Sequence, residues 1–433
     1  MSGPFLQPKF LAETFGIAMA DPSREAHTHT DRCTLHLVPL HWLRRFGFKM
    51  IAERCCLKKT IYLLALCGVS AAMLAPMLRG QQRWVIGPWV RAGQTPVIRP
   101  RPESTFTDPI SGEPVHWEAL HTFNPAAIVR DGKIVLLYRA EDDSGEMRIG
   151  GHTSRLGMAT SADGIHFERN PQPVFYPARD SQTSREFPGG VEDPRLVEST
   201  DGRYILTYTQ WSRSRNSYTI GVATSSDLHT WRKFGPIFGT DGKDAGWKYK
   251  SAGIVTRVAG DHLVAAKIHG KYWMYWGEVE IHLATSNDLI HWHPVEDKAG
   301  NPKVLLRRRP GKSDSGFPET GPPAVLTSSG VVLLYNAKNA LDDSRDPAIG
   351  RGAYSVQEAL FSSRHPEKLI ARTDTPVFQP QLDWEKSGQY AAGDTFAEGL
   401  VLFHGQWWLY YGAADSFVGV AKANNDSTPV VAK

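Results

Sequence analysis

Short apolar and aromatic runs, separated by glycine, proline, aspartate and asparagine, characterise the chain from about residue 81 onward. No part of this region sustains the 3.6-residue period of an amphipathic helix. Runs of this length with turn residues at both ends are typical of β-strands. Five of them follow a short turn and are rich in Val, Leu, Ile, Tyr and Trp: 134–138, 204–208, 272–276, 331–335 and 407–411. The pattern predicts an all-β domain over residues 81–433.

A sequence repeat runs through this domain. Three copies of Thr-Ser-x-Asp-x-x-x-aromatic begin at Thr160, Thr224 and Thr285. The five turn-and-strand units give about 60–70 residues each, the size of one four-stranded blade with its loops. Blades bury their faces against neighbouring blades, so no single segment needs a core of its own. The repeat therefore predicts a five-bladed β-propeller, in which equivalent points of the blades converge on one pocket.

Residues 1–80 differ from the rest of the chain in charge and cysteine content. They hold all four cysteines and ten Lys/Arg against five Asp/Glu, whereas residues 81–433 carry 39 basic and 40 acidic residues. Lys58 and Lys59 precede an apolar run over 61–78, which is the order of an export signal. The run is also just long enough for one membrane anchor. We expect an N-terminal extension over 1–80 that directs export to the periplasm or the extracellular space, or that tethers the protein to a membrane through residues 61–78.

The composition of residues 81–433 argues against nucleic-acid binding and against cysteine-based disulfides or metal sites. A nucleic-acid partner requires a concentrated basic surface, which balanced charges do not provide. Because no cysteine follows Cys67, the domain has neither disulfides nor cysteine metal sites. The histidines show no zinc spacing such as His-Glu-x-x-His, so neither a metal nor a cofactor is expected.

Candidate acid–base chemistry is concentrated in a Gly-Gly-Val-Glu-Asp-Pro-Arg segment at residues 189–195. Pro194 keeps Asp193 out of helical conformation, and the two glycines allow the backbone to approach a ligand. A fixed carboxyl group beside Arg195 at the start of a strand is what general acid catalysis on a sugar requires. For an isolated motif of this kind, a salt-bridged turn would be the better interpretation.

Polar segments recur at equivalent points of the predicted blades, in a fixed order along the chain: Phe-Asn-Pro at 123–125, Tyr-Arg at 138–139, Gly-Val-Glu-Asp-Pro-Arg at 190–195, Gly-Pro-Pro at 321–323 and Tyr-Gly-Ala-Ala-Asp at 411–415. This ordered set of motifs resembles that of glycoside hydrolase family 130, which acts on β-mannosides. The fold of that family is a five-bladed propeller. Most of its members are phosphorylases that cleave the β-mannosidic bond with phosphate and invert the anomeric centre, and a smaller branch hydrolyses β-1,2-mannosides. The resemblance implies that Asp193 is the general acid, acting through the 3-hydroxyl of the sugar.

The identity of the nucleophile separates the two branches. Phosphate requires a cluster of basic side chains, whereas water requires a carboxylate on the face opposite the acid. In the phosphorylase branch a lysine lies just before Gly-Pro-Pro; in this chain Glu319 stands near that place, and Glu278 stands where a basic residue is expected. The resemblance thus favours the hydrolase branch, an inverting enzyme in which Asp193 is the acid and Glu278 and Glu319 activate water. The residues expected to bind substrate are Asn124, Arg139, Glu192, Arg195, Lys250, His269 and Asp415.

Three alternatives remain open. A phosphorylase releasing mannose 1-phosphate, with inorganic phosphate as a second partner, is favoured if Lys250, Lys267 and His269 converge on one anion site. A non-catalytic carbohydrate-binding propeller would bind mannosides without turnover. Another five-bladed glycosidase family, such as those cleaving arabinans or fructans, would need an aspartate near the start of the first blade, for which Asp108 is the candidate.

Structural roles compete with the catalytic ones. For Glu278 and Glu319, a solvated loop or an ion pair with Lys250 or Lys267 is as good an interpretation as catalysis is. The repeated aspartates of the Thr-Ser-x-Asp motif are expected to stabilise turns. They are Asp163, Asp227 and Asp288.

Overall fold

The computed structural model describes residues 84–240 and 247–424. The predicted N-terminal extension, with its apolar run at 61–78, lies outside the described residues. Within them, none of the helices has the length and apolar character needed to span a membrane.

The described residues form an all-β structure, as the apolar pattern predicts. Helix is confined to the four-residue α1 (Thr183–Glu186) and one 3-10 turn (Asp383–Lys386) in this part of the chain. The first strand, β1 (Val90–Arg91), pairs with the last one, β25 (Phe417–Asn424), and thereby joins the two ends of the domain. A separate small hairpin follows β1 and consists of β2 (Phe106–Thr107) and β3 (Pro114–Val115).

The remaining strands form successive antiparallel meanders, in which each strand pairs with the next. The first meander comprises β4 (His121–Arg130), β5 (Lys133–Glu141), β6 (Ser154–Ser161) and β7 (Glu168–Arg169). The second comprises β8 (Gly189–Glu198), β9 (Tyr204–Ser212), β10 (Ser217–Ser225) and β11 (Arg232–Pro236). The third comprises β12 (Ala252–Ala259), the short β13 (His262–Ala265) and β14 (Lys267–Ile268), and then β15 (Lys271–Trp276), β16 (His282–Ser286) and β17 (Trp292–Pro294).

Two further meanders complete the described chain. In one, β18 (Phe317–Thr320) and β19 (Ala324–Thr327) both pair with β20 (Gly330–Lys338), which is followed by β21 (Tyr354–Phe361) and β22 (Leu369–Arg372). In the other, β23 (Phe396–Phe403), β24 (Gln406–Ala413) and β25 are completed by β1.

The first strands of neighbouring meanders lie close together, since β4 contacts both β8 and β23. Parallel bridges also join neighbouring meanders, from Val255 of β12 to Ala324 of β19 and from Ser154 of β6 to Gly190 of β8. Nearly all residues of β4, β8 and β23 are buried, on both faces of each strand. These strands therefore occupy the interior, and a polar side chain on them faces other interior strands.

Apolar side chains fill the space between adjacent meanders. Tyr275 of β15 packs against Phe361 of β21, with ring centroids 4.6 Å apart. Leu136 of β5 and Tyr410 of β24 belong to another such cluster. The apolar side chains are thus buried between adjacent meanders and not within a single one. This agrees with the sequence, in which no segment has a self-sufficient core.

The repeated Thr-Ser-x-Asp motif forms the same turn in all three copies. In the second copy, Asp227 Oδ1 accepts hydrogen bonds from the backbone N–H groups of His229 and Thr230, at 2.8 and 2.7 Å. Ser225 Oγ bonds the aspartate in turn, at 3.0 Å. Asp163 and Asp288 make the equivalent bonds. The expectation that these aspartates stabilise turns is confirmed.

Candidate active site

Two β-bulges aim polar side chains into the interior. The pairing of β4 with β5 shifts around Asn124, and that of β8 with β9 shifts around Asp193. Both residues adopt positive φ, 45° and 48°, and each precedes a proline that cannot donate to the ladder. A bulge leaves a residue unpaired and redirects its side chain. The local sequence thus explains why Asn124 and Asp193 leave the regular alternation of their strands.

Arg139 gathers the first group of carboxylates. Its Nη2 donates to Glu141 Oε1 at 2.6 Å and to Glu192 Oε1 at 2.8 Å. Its Nη1 donates to Asp193 Oδ1 at 3.1 Å, and the same oxygen accepts from Asn124 Nδ2 at 2.8 Å. All five side chains are buried or nearly so. One guanidinium therefore fixes three carboxylates in a site with little solvent.

Lys250 gathers a second group, which shares Asp193 with the first. Its Nζ lies 3.3 Å from Glu319 Oε1, 3.7 Å from Glu278 Oε2 and 4.0 Å from Asp193 Oδ2. Ser251 Oγ donates to Glu319 Oε1 at 2.6 Å. The Lys250 side chain is 27% exposed and that of Glu278 is 20% exposed, whereas Glu319 is fully buried. This side of the site is therefore open to a ligand or to water.

The charges of the two groups set different pKa values for neighbouring carboxyls. Burial raises the pKa of Glu192 to about 7, although Arg139 opposes the shift. Burial also acts on Asp193, but Arg139 and Lys250 outweigh it and hold the pKa of Asp193 at about 2. In the free protein at neutral pH, Asp193 is ionised and the proton of this coupled pair resides on Glu192.

Asp415 lies on the Arg139 side of the site, in the turn between β24 and β25. It adopts a φ of 49°, and burial raises its pKa to about 6 while Arg139 lowers it. Asp394 is its neighbour, and burial raises the pKa of that carboxyl as well. Asn124, Arg139, Glu192, Asp193, Lys250, Glu278, Glu319 and Asp415 are thus brought together.

Arg195 lies beneath this cluster and not in its opening. It donates to the backbone carbonyls of Asp193, Thr320 and Gly321, at 2.9, 2.9 and 3.2 Å, and its Nη1 lies 2.9 Å from Glu398 Oε1. Its side chain is 2% exposed. Its guanidinium ties β8 to the end of β18, so it supports the Asp193 backbone and does not reach a ligand.

The structure does not bring His269 to the cluster. His269 is exposed in the turn between β14 and β15, where its Nε2 lies 2.8 Å from the Arg364 carbonyl oxygen. Glu278 follows the opposite end of β15. Lys267 is also exposed, with its ammonium 4.8 Å from the centroid of Tyr272. Lys250, Lys267 and His269 therefore do not form one anion site.

Sequence reasoning missed two charged members of the site. Glu141 ends β5 and bonds Arg139, although it was not singled out as a site residue. Lys338 ends β20, and its ammonium lies 5.1–5.7 Å from the ring centroids of Phe317, Tyr354 and Tyr390. Burial lowers the pKa of Lys338, while the charge of Glu319 raises it. The signal that could have found both is their position, because each is the last residue of a long strand in its meander.

One group of side chains in the described part of the chain combines metal-ligand types at short range. It consists of His121, Glu141 and His152, which border the Arg139 side of the site. The sequence predicted no metal because these residues have no recognisable spacing along the chain.

Comparison with known proteins places this geometry in context. A family model described as beta-1,4-mannooligosaccharide phosphorylase, that of glycoside hydrolase family 130, matches residues 91–428. The 1,2-beta-oligomannan phosphorylase of Thermoanaerobacter sp. (strain X514) is 32% identical over 333 residues, which are 76% of this chain and 95% of that protein. A beta-1,2-mannobiose phosphorylase of the same organism is 28% identical over 312 residues, which are 70% and 90% of the two chains.

Solved structures at higher identity are also similar. A glycosyl hydrolase from Bacteroides ovatus is 46% identical with a TM-score of 0.76, covering 81% of this chain and 97% of that one. A further structure is 47% identical with a TM-score of 0.77 and the same coverage. It is described with glycoside hydrolases of family 130 that target β-1,2 mannosidic linkages in Candida mannan.

Proposed function

Because the chain belongs to glycoside hydrolase family 130 and is an enzyme acting on β-mannosides, we propose that it hydrolyses β-1,2-linked manno-oligosaccharides with inversion of the anomeric centre. The proposal rests on the carboxylates that surround the Lys250 ammonium. Three carboxylates lie within 4.0 Å of this one ammonium, so its charge is already matched. A phosphate dianion requires an excess of basic side chains. The acidic excess of this site instead suits an uncharged nucleophile, water.

The candidate acid and base of the inverting reaction both lie close to Lys250. Asp193 Oδ2 is 4.0 Å and Glu278 Oε2 is 3.7 Å from Lys250 Nζ. Inverting glycosidases hold acid and base ~6.5–9.5 Å apart, with space for one water between them, and the two contacts to Lys250 set an upper limit of about 8 Å on this separation. Glu278 is the more exposed base candidate and contacts the water, while Glu319 orients the site through Ser251 and Lys250.

Asp193 must carry a proton when the glycosidic oxygen leaves. Its pKa is held near 2 in the free enzyme, whereas Glu192, on the same guanidinium, is protonated up to about pH 7. We assign Glu192 as the proton reservoir of the pair. A bound sugar hydroxyl between the acid and the glycosidic oxygen then passes the proton on.

The architecture we propose is a five-bladed β-propeller with each meander as one blade. The antiparallel pairing within meanders and the closeness of their first strands support it. The completion of the last meander by β1 is the kind of closure that holds a ring of blades together.

The second candidate function is phosphorolysis, which the names of the two curated relatives favour. It would require phosphate to bind beside Lys250, with Lys338, which interacts electrostatically with Glu319 and Lys250, as a further cation. A glycosidase using Asp108 is disfavoured, because Asp108 is buried and its carboxylate lies 2.5 Å from Arg155 Nη2.

The deciding experiment incubates the purified chain with β-1,2-mannobiose, with and without inorganic phosphate, and separates the products by chromatography. We expect free mannose as the only product and equal rates in both mixtures. Mannose 1-phosphate formed only with phosphate would establish the phosphorylase instead. Mannobiose binding without turnover, by both the wild type and Asp193→Asn, would establish a binding propeller.

We also propose that the protein is exported, or tethered through residues 61–78, on the sequence of its N-terminal extension. Cell fractionation followed by N-terminal sequencing of the mature protein tests this. A cytoplasmic protein with an intact N-terminus would refute it.

A further inference from the structure

We propose that His121, Glu141 and His152 form a binding site for a divalent metal ion, with zinc as the expected ion. Two imidazoles and one carboxylate are a donor set that suits zinc and other late first-row metals. The inference does not depend on whether the enzyme uses water or phosphate.

The fold brings the three residues together from different segments. His121 begins β4 and stands directly opposite Glu141, the last residue of β5, in the strand register. His152 precedes β6, whose Ser154 pairs with Glu141 from the other side. One potential ligand atom from each residue lies within 4.8 Å of the other two.

The histidines are already oriented by bonds of their Nδ1 atoms. His152 Nδ1 lies 2.7 Å from the Ser144 carbonyl oxygen, which can only accept, so Nδ1 carries the proton and Nε2 keeps a free lone pair. His121 Nδ1 lies 2.9 Å from Ser416 Oγ. An imidazole held at one nitrogen by a carbonyl or hydroxyl, with the other nitrogen free, is the usual arrangement of a metal ligand.

His152 is the more deeply placed of the two histidines. It is 2% exposed, and its imidazole is held in place by the Ser144 carbonyl. Each of the three residues offers one ligand atom to the same small volume, since these atoms lie within 4.8 Å of one another.

The electrostatics favour a cation at this place. Both oxygens of Glu141 accept one hydrogen bond each, from Arg139 at 2.6 Å and from Gln389 at 3.1 Å, and each retains a further lone pair. The charge of Arg139 is offset by Asp193 as well as by Glu141. Zn–N distances of about 2.0–2.1 Å put tetrahedral ligands ~3.3 Å apart, so ligand atoms now up to 4.8 Å apart would approach one another by up to about 1.5 Å on binding.

Such an ion would act on the active site by position. Glu141 holds Arg139, and Arg139 holds Asp193. An ion that fixes Glu141 therefore fixes the guanidinium that sets the pKa of the candidate acid. The ion does not touch the reacting atoms in this arrangement.

The test measures zinc binding directly on the full-length chain. Because cysteine thiolates are themselves zinc ligands, the four cysteines of residues 1–80 are replaced by serine in all samples: Cys33, Cys55, Cys56 and Cys67. The protein is stripped with a chelator and titrated with Zn²⁺ in competition with a chromogenic chelator. Cobalt substitution then reports the coordination by its visible absorption.

We expect one tight zinc site per chain and a cobalt spectrum typical of four-coordinate nitrogen and oxygen ligands. His121→Gln and His152→Gln should each weaken zinc binding by about 100-fold or more, since a ligand change exceeds the ~10–100-fold cost of an outer-shell change. The matched control His166→Gln removes an exposed histidine of a turn and should leave the affinity unchanged. Zinc binding that is absent, or equal in all four proteins, would overturn the proposal. So would a raised KM for mannobiose in the two variants without any change in zinc affinity, because the histidines would then bind sugar hydroxyls.

Discussion

Replacing Lys250 by methionine removes the one charge that all three candidate catalytic carboxylates share while keeping the length of the side chain. Glu319 is then left fully buried without its closest counter-charge, at a position where burial already raises its pKa. We expect Lys250→Met to raise the pKa of Glu319 further, so that the carboxylate is protonated over a wider pH range and can no longer orient the site in its ionised form.

The structure allows the size of the effect to be worked out. Two unit charges 3.3 Å apart interact by about 5 kcal/mol at an effective dielectric constant of about 20. The ammonium is partly exposed, so water that replaces it will recover roughly half of this. The remaining ~2.5 kcal/mol shifts the protonation equilibrium of Glu319 toward the neutral acid by roughly 70-fold. Asp193 also loses a counter-charge but keeps Arg139 at 3.1 Å.

The assay is the pH dependence of kcat for release of mannose from β-1,2-mannobiose. Glu319 must be ionised to orient the base and the water, so activity rises as pH increases through the pKa of Glu319, and this acidic limb should move to higher pH in the variant. Below the limb the variant should be about 100-fold slower than the wild type, and it should recover part of the loss at alkaline pH.

Lys267→Met is the matched control, because Lys267 is exposed beside Tyr272 at the other end of β15. It should leave the profile unchanged. An acidic limb that stays in place in Lys250→Met would refute the role of the ammonium in keeping Glu319 ionised. A variant that instead needs more phosphate for half-maximal rate would show that Lys250 binds the phosphate of a phosphorylase.

Three further predictions follow from the same contacts. Asp193→Asn should lower kcat by about 10²–10⁴-fold, the usual contribution of a general acid. Calorimetry should show that this variant still binds mannobiose. Asp288→Asn, which changes an aspartate in an exposed turn, is the control. Because Glu192 is protonated below about pH 7, kcat/KM should fall as pH rises through that value. Glu192→Gln should remove this alkaline limb, and a limb that persists would assign it to another group. Asp227→Ala should lower the free energy of unfolding by about 1 kcal/mol through loss of the two turn hydrogen bonds, measured by denaturant titration. Since the pKa of Asp227 is lowered by these bonds, the difference from the wild type should be present at neutral pH and shrink as the carboxylate is protonated in acid.

Much of the site could be predicted because its residues carry local signals. Asn124 and Asp193 precede prolines in strands, a combination that marks a bulge, and the structure places both at bulges. The Asp227 turn repeats its hydrogen-bonding residues along the chain, so its role is visible without any tertiary contact. These features depend on the backbone within a few residues, which is what a single sequence encodes most directly.

The misplaced residues show what the sequence could not supply. His269 and Glu278 flank β15, and a six-residue strand alone does not tell which of its ends faces the site. Arg195 stands two residues after Asp193, so regular alternation would put both side chains on one face. The bulge between them breaks that alternation, and Arg195 bonds Thr320 and Gly321 instead. Glu141 and Lys338 could be identified only from the tertiary structure, because each acquires its neighbours only when other strands pack beside it.

The bulge at Asp193 connects the fold to the chemistry. A positive φ at a non-glycine residue costs about 1–3 kcal/mol and persists only where its surroundings fix it. Here the fixing comes from both sides: Arg195 holds the Asp193 carbonyl from below at 2.9 Å, while Arg139 and Asn124 hold the carboxylate from above. A regular strand could offer one of these attachments but not both, because carbonyl and side chain would point in unrelated directions. The unfavourable backbone conformation therefore places the Asp193 carboxyl group between two cations. The Arg139 guanidinium keeps it ionised in the free enzyme, and the Lys250 ammonium is shared with the candidate bases. From this position one residue can reach a glycosidic bond and an attacking water in the same pocket.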